Sequence, residues 1–301
     1  MEVLLFAAAA LRISVPYTLA ALGASFSERG GVINIALEGI MLNGALAYVL
    51  GAYWTGNPWA GVAAALAAGV ATAALHAAIT VWLRADQITS GLGINLLAAG
   101  LTKFVLTQVF HSSSNSSRVI GLPDWNLFHL GDLPALGPVL TAPLVMVAVV
   151  AVLAGQGFLF RTVFGLRLRS VGEHPEAAAT LGLSVAGYRT AGVLISGALA
   201  GLAGAWLASE QHSFTDGMTG GRGYIALAAM IVGKWTPFGA AAACLLFGIA
   251  EALQITLQGT GFPSELLQML PYLVTMFALA GFIGRATPPR RLGVPYDPER
   301  A

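Results

Sequence analysis

The chain has 301 residues, of which 56% are hydrophobic and 10% charged, against roughly 25% charged in soluble domains. A water-facing surface needs more charge than that, so an ordinary soluble enzyme, a nucleic-acid binder and a disordered chain are excluded, and a net charge of +1 offers little to a polyanion. The single cysteine, Cys244, excludes an internal disulfide and a multi-cysteine metal site. What remains is an all-α, polytopic transmembrane helix bundle in contact with membrane lipid.

A helix that crosses the bilayer needs about 20 apolar residues. In chain order the segments are 3–24, 33–54, 59–83, 89–110, 139–160, 190–209, 223–234, 237–258 and 265–285. The seventh is short and reads as a broken or re-entrant element, so the bundle has about 8–10 spans. Runs such as VAAALAAGVATAALHAAITVWL do not alternate apolar with polar residues, so the spans are helices and not strands. The opening MEVLLFAAAALR lacks the basic region of a cleavable signal peptide, and the first helix is expected to be retained.

Basic residues set the orientation. With the carboxyl terminus in the cytoplasm, the inside segments hold Arg29, Arg84, Arg161, Arg167, Arg169, Arg189, Lys234, Arg285, Arg290, Arg291 and Arg300. The outside segments hold only Arg118 and Arg222, while Arg12 and Lys103 fall within spans. An odd number of spans then places the amino terminus outside. The membrane body is 1–285, and its largest inside segment is the loop 161–189. The tail 286–301 is polar, proline-rich and expected to be loose. The longest outside loop, 111–138, favours a short interfacial helix around Pro123–Leu130, with Trp125 and Phe128 at the headgroups. Gly197, Gly201 and Gly204 lie near one face of the sixth span, a pattern that lets helix backbones approach closely.

Chemistry-bearing motifs are missing from the sequence. The string MIVGKWT has Gly-Lys but lacks the rest of a Walker A loop, no HExxH pair joins the five histidines, and no GxSxG elbow occurs. No catalytic residue, metal site or cofactor of its own is assigned to the chain. The embedded polar residues are the candidates for a translocation pathway, since an ionised group at mid-membrane costs about 2.5–3.5 kcal/mol and must face protein or water. On the second span Asn34 and Glu38 are four apart, with Asn43 further along. On the fourth, Asn95 and Lys103 align, and on the eighth Glu251, Gln254 and Gln258 form a stripe. Two readings stand for these groups. They line a polar pathway through the bundle. Alternatively they glue helices together, with Glu38 or Glu251 paired to Lys103 or Arg12. The cluster Gly217, Gly220, Gly221 and Gly223 is either a tight turn into a short helix or a re-entrant loop.

The inside segment contains a helix signal. Pro175 suits a first helical turn, Glu173 and Glu176 favour its positive end, Ala177, Ala178 and Ala179 propagate it, and Gly182 stops it. This pattern, Glu176-Ala-Ala-x-x-x-Gly182, resembles the EAA loop of ABC importer permeases. The wider string VGEHPEAAATLGLSVAGYR is similar to its form in the branched-chain amino acid and simple-sugar permease superfamily, with His174 where Asn is usual. Two more strings, FSERGGVINIALEGIM from Phe26 and GRGYIALAAMIVGKWTP from Gly221, resemble the nucleoside and simple-sugar branch, and the length fits its shorter permease.

The resemblance implies that Gly172, Glu173, Pro175, Glu176, Ala177, Ala178 and Gly182 form a coupling helix against an ABC ATPase. It further implies a second, related permease subunit and an extracytoplasmic substrate-binding lipoprotein. ATP and Mg would be bound by the ATPase and not by this chain. The function implied is inward transport of nucleosides across the cytoplasmic (inner) membrane. Ribose, another simple sugar or a branched-chain amino acid are alternative solutes. An ion-coupled secondary transporter using Glu38, Glu251 and Lys103 is the alternative from another class.

Overall fold

The computed structural model describes residues 2–133, 136–258 and 287–297, together with residues 266, 267, 269, 273, 274 and 276. In chain order come α1 (Glu2–Arg29), α2 (Leu37–Thr55), and α3 (Pro58–Ala77), which runs on into a π-helical turn at Ala78–Trp82. Next are α4 (Gln87–Phe110), a 3₁₀ turn at Leu127–Asp132, α5 (Gly137–Leu140), α6 (Pro143–Arg161), α7 (Val163–Glu173) and α8 (Pro175–Thr180). The last are α9 (Val185–Gln211), α10 (Arg222–Val232) and α11 (Pro237–Leu257). Helix starts follow from local chemistry. The side chains of Asn57, Asp86, Thr162, Ser184 and Thr236 each accept a bond from a first-turn amide, and Pro58, Pro143, Pro175 and Pro237 occupy first turns. Asp86 also accepts from the Thr89 hydroxyl, and the two Thr89 bonds hold its carboxyl below the usual range.

Among the described residues, six helices are long and apolar enough to cross a membrane: α1, α3 with its π turn, α4, α6, α9 and α11. The chain is therefore a multi-pass membrane protein. Helix α2 has the 19-residue length of α6 but carries Glu38 and Asn43, which lower its hydropathy. It tolerates them because it sits inside the bundle, packed by α3, α9, α4 and α10. The expected span 265–285 lies outside the described residues, apart from the six named above.

Helix α9 is the axis of the bundle and packs on α1, α2 and α3. The small residues read from the sequence make this possible. A Cβ on Gly204 would stand 2.0 Å from the Met41 carbonyl oxygen on α2, and one on Gly69 of α3 would stand 2.3 Å from that of Gly197. The α9 glycines thus serve two neighbours, α2 and α3, and backbone contact replaces side-chain interdigitation.

Three expectations are corrected. The second span does not begin at residue 33: the chain leaves α1 at Gly30 and Gly31 (φ +89°), and residues 32–36 are not helical. Asn34 therefore lies in this break and not on α2. Residues 163–173, expected as loop, form the amphipathic helix α7. The tail is not loose over 287–297: Arg291 N–H donates to the Gly172 carbonyl (3.0 Å) and Gly293 N–H to that of Gly31 (3.2 Å).

The two ends of the bundle differ. At one, the basic end, Arg29 donates to the carbonyls of Lys234 and Trp235, and Arg169 packs on Phe160. At the other, residues 114–119 run along 212–216: Ser116 N–H donates to Phe214, Val119 N–H to His212, and Asp216 N–H to Ser114. Trp125 stacks on Trp59 at 5.2 Å. The helical turn in this loop starts at Leu127, later than expected from Pro123.

Candidate functional site

The break at residues 31–36 is held by side chains in place of helical partners. Ile33 N–H donates to Gln87 Oε1 (2.7 Å), and the Ile33 carbonyl faces His76 Nε2 (3.0 Å). A carbonyl can only accept, so Nε2 carries the proton, and in the neutral ring Nδ1 accepts from the Ser90 hydroxyl at 3.0 Å. Asn95 closes the start of α2. Its Oδ1 accepts from Gly39 N–H (2.8 Å) and its Nδ2 donates to the Ile35 carbonyl (3.0 Å).

The break sets Glu38 on the first turn of α2, against the start of α10. Glu38 Oε1 accepts from Gly221 N–H (2.8 Å) and Oε2 from Gly223 N–H (2.7 Å). Free amides and the helix dipole both make a helix N-terminus favourable for a carboxylate, and here both oxygens are engaged. Gly221 (φ +86°) supplies the left-handed turn into α10. The glycine cluster is thus a tight turn into a short helix, as one of the two readings had it. Two interrupted elements, the break before α2 and the half-length α10, meet at one carboxylate. Interrupted helices of this kind place polar backbone inside membrane transporters, where protein or water covers it.

A polar seam follows α10 from this contact, bonded to α4 through Tyr224 and to α11 through Arg222. Asn95 Nδ2 reaches the Tyr224 hydroxyl (2.9 Å), bridging α4 to α10. Arg222 Nη2 donates to Glu251 Oε1 (3.1 Å), and Tyr17 Oη donates to Glu251 Oε2, which links α10, α11 and α1. Lys103 Nζ stands 3.5 Å from Asp216. The seam is open on its α4 side, where the Lys103 side chain is 57% exposed and Tyr224 43%, whereas Arg222 and Glu251 are largely covered. Gln254 lies one turn beyond Glu251, half-buried, and Gln258 is exposed at the end of α11.

The ion pairs differ from those expected. Glu38 pairs with neither Lys103 nor Arg12, because backbone amides satisfy it. Glu251 takes Arg222, Lys103 takes Asp216, and Arg12 takes Glu210. The structure brings Glu38, Asn95, Lys103 and Glu251 to the seam, with Gln254 on the same face of α11 as Glu251. Asn34 and Asn43 lie elsewhere: Asn34 is fully buried and donates to Ser196 of α9 (2.9 Å), and Asn43 donates to Thr72 of α3 (3.1 Å). Asn34 thus joins the break to α9, and Asn43 joins α2 to α3. Arg222, Tyr17, Tyr224 and Asp216 were not singled out from sequence. Arg222 and Asp216 flank the glycine cluster, and charges at the mouth of a short apolar segment were the available signal.

At the basic end, α7 and α8 form a bent pair. Pro175 and Ala178 of α8 are buried, Glu176 and Ala177 are half-exposed or exposed, and Gly182 (φ +78°) ends the turn. Gly172 presses on α1: a Cβ there would stand 2.1 Å from the Arg29 carbonyl oxygen. Glu173 accepts from Arg290 N–H (3.1 Å), and Glu176 pairs with Arg291 (2.7 Å).

Comparison with known proteins agrees with this architecture. Residues 6–279 match the family model described as branched-chain amino acid transport system / permease component. The chain is 41% identical to the guanosine ABC transporter permease protein NupQ of Bacillus subtilis (strain 168), over 96% of this chain and 95% of that one. It is 43% identical to the nucleoside ABC transporter permease protein NupC of Lactococcus lactis subsp. cremoris (strain MG1363), over 94% and 93%. It is 34% identical to the putative glucose ABC transporter permease protein TsgC13 of Haloferax volcanii, over 92% and 91%. No solved structure matches. The chain belongs to the family of branched-chain amino acid transport system permease components, and is a transport subunit and not an enzyme.

Proposed function

We propose that this chain is the permease subunit of an ABC importer that carries nucleosides inward across the cytoplasmic membrane. The observation that carries the reading is the polar seam of Glu38, Asn95, Tyr224, Arg222 and Glu251. On its α4 side it lies open, at Lys103 and Tyr224. Its charges are matched within the seam, Glu38 by two amides and Glu251 by Arg222. Such a lining offers hydrogen bonds without a net charged clamp, which suits the hydroxyls and base edges of an uncharged solute. Two relatives matched over nearly their whole length are named for guanosine and for nucleosides.

The remaining assignments belong to the same reading. The basic end faces the cytoplasm, following the positive-inside bias, and the amino terminus lies outside. The permease domain is 1–285, with the coupling segment at 161–189 and the tail at 286–301. Helix α8 with Gly172, Glu173 and Gly182 takes the motion of the ATPase, which binds ATP and Mg on its own chain. A second, related permease covers the open face of α4, where Gly93 and Gly100 leave space for another helix. A substrate-binding lipoprotein delivers solute at the opposite end. One observation favours a second solute: the relative named for glucose. A simple-sugar importer would use the same seam.

Deleting the chain in its host and measuring uptake of labelled guanosine, uridine and glucose tests the solute. Loss of nucleoside uptake with glucose uptake intact is the expected result. The reverse pattern would give the sugar reading. Gln254→Leu is expected to slow uptake about three- to tenfold, as the loss of one or two hydrogen bonds would, with the assembled complex unchanged in amount. Unaltered kinetics would reduce this side of α11 to packing.

A further inference from the structure

The tail crosses the basic end as an ordered strap. Arg290 N–H donates to Glu173 Oε2 at 3.1 Å, and the Arg291 side chain pairs with Glu176 at 2.7 Å. Arg291 N–H donates to the Gly172 carbonyl and Gly293 N–H to the Gly31 carbonyl. Arg189 Nη1, from a guanidinium buried in α9, donates to the Val294 carbonyl at 2.9 Å, and Asp297 pairs with Arg84 at 2.7 Å. Tyr296 packs on the small cluster of Val171, Ala178 and Val185.

Two consequences follow from the chemistry. First, α8 has six residues, of which only Pro175 and Ala178 are buried, too little for a helix to hold its own place on the bundle. The strap supplies what its packing lacks. Second, both acidic groups of the segment already have partners in this chain, so they are not free to meet a basic residue of another subunit without leaving the strap. The strap also bonds backbone to backbone with Gly172 on one side and Gly31 on the other. Gly31 opens the break that leads into α2, whose first turn carries Glu38, the carboxylate bonded to the start of α10.

We propose that residues 290–294 are a clasp that transmits displacement of α8 to the α1–α2 break, and that Glu176 is a positioning residue acting through Arg291. The clasp presupposes that α8 is the ATPase contact, the reading given under Proposed function. Motion at α8 pulls on Gly172 and the strap, the strap pulls on Gly31, and the break shifts Glu38 relative to α10. Charge at Glu176 serves the clasp. The exposed apolar and small side chains of α8 are left to meet the ATPase.

Charge reversal tests this on the complex purified from its native membrane through a tagged chain. Glu176→Arg, Arg291→Glu and the double exchange are compared for bound ATPase, ATP hydrolysis and uptake in proteoliposomes. Arg291→Glu is expected to retain the ATPase and its hydrolysis, with uptake per ATP down about three- to tenfold, the scale of a partly exposed pair turned repulsive. The double exchange is expected to restore most of that ratio. A double exchange no better than the singles, or Arg291→Glu with unchanged uptake per ATP, would overturn the clasp. If Glu176→Arg loses the ATPase and the exchange does not bring it back, Glu176 meets the ATPase directly: the clasp is then wrong and the coupling reading stands. If the unaltered chain retains no ATPase, the coupling reading itself fails.

Discussion

Glu38→Gln is expected to abolish transport while leaving the chain in the membrane. The carboxylate accepts from both Gly221 and Gly223 N–H, one on each oxygen. Glutamine keeps one acceptor and turns its NH₂ toward the other amide, donor against donor. A charge-assisted bond is worth about 1.5–3 kcal/mol, and a buried donor left without an acceptor costs a further 1–3. The contact loses on the order of 3 kcal/mol, which is roughly a hundredfold in any equilibrium that depends on it. The bundle does not depend on it, since α9 still packs on α1, α2 and α3. Immunoblotting of membranes is expected to show near-normal amounts of chain, and labelled-solute uptake close to background. Uptake within twofold of the unaltered chain would mean that the α2–α10 contact is only packing.

Gly223→Ala is expected to have an effect of similar size by a different route. A Cβ at this position would stand 2.5 Å from the Glu38 nitrogen and 2.6 Å from its Cα, both backbone atoms that cannot rotate aside. Carbon needs about 3.5 Å or more, so α10 must move by roughly 1 Å. That displacement opens the 2.7 and 2.8 Å bonds to Glu38. Gly221→Ala is the internal comparison. No atom lies within 4 Å of a Cβ there, and the only penalty is the left-handed φ of +86°, about 1–2 kcal/mol. Uptake is therefore expected to fall much further for Gly223→Ala than for Gly221→Ala. Equal losses would say that turn strain governs this segment, with helix contact secondary.

The helices and their class were legible because burial in lipid demands long apolar runs, and those runs are what the sequence displays. The same property hid the break at 32–36. Val32, Ile33 and Ile35 are as apolar as any span residue, so hydropathy runs straight through a stretch that is not helical. Only Gly30 and Gly31 mark it. Asn34 was placed on α2 for this reason, and so was grouped with Glu38. The seam was half legible. Glu38, Asn95, Lys103 and Glu251 are unusual inside apolar segments and draw attention singly. Their partners do not, because Arg222 meets Glu251, and Glu38 meets Gly221, across distances in sequence that no local pattern encodes. Helix α7 was read as loop because Arg167 and Arg169 dilute its apolar face. The strap was read as loose because proline, arginine and glycine describe a composition, whereas its order comes from backbone bonds to Gly172 and Gly31.

The most direct measurement is co-purification of the tagged chain from its native membrane, followed by reconstitution of whatever stays bound. An ATPase and a second permease in the eluate, with labelled nucleoside entering proteoliposomes only when ATP and the binding lipoprotein are supplied, is the predicted result. A chain recovered alone that moves solute under a proton or sodium gradient, with no ATP, would contradict it.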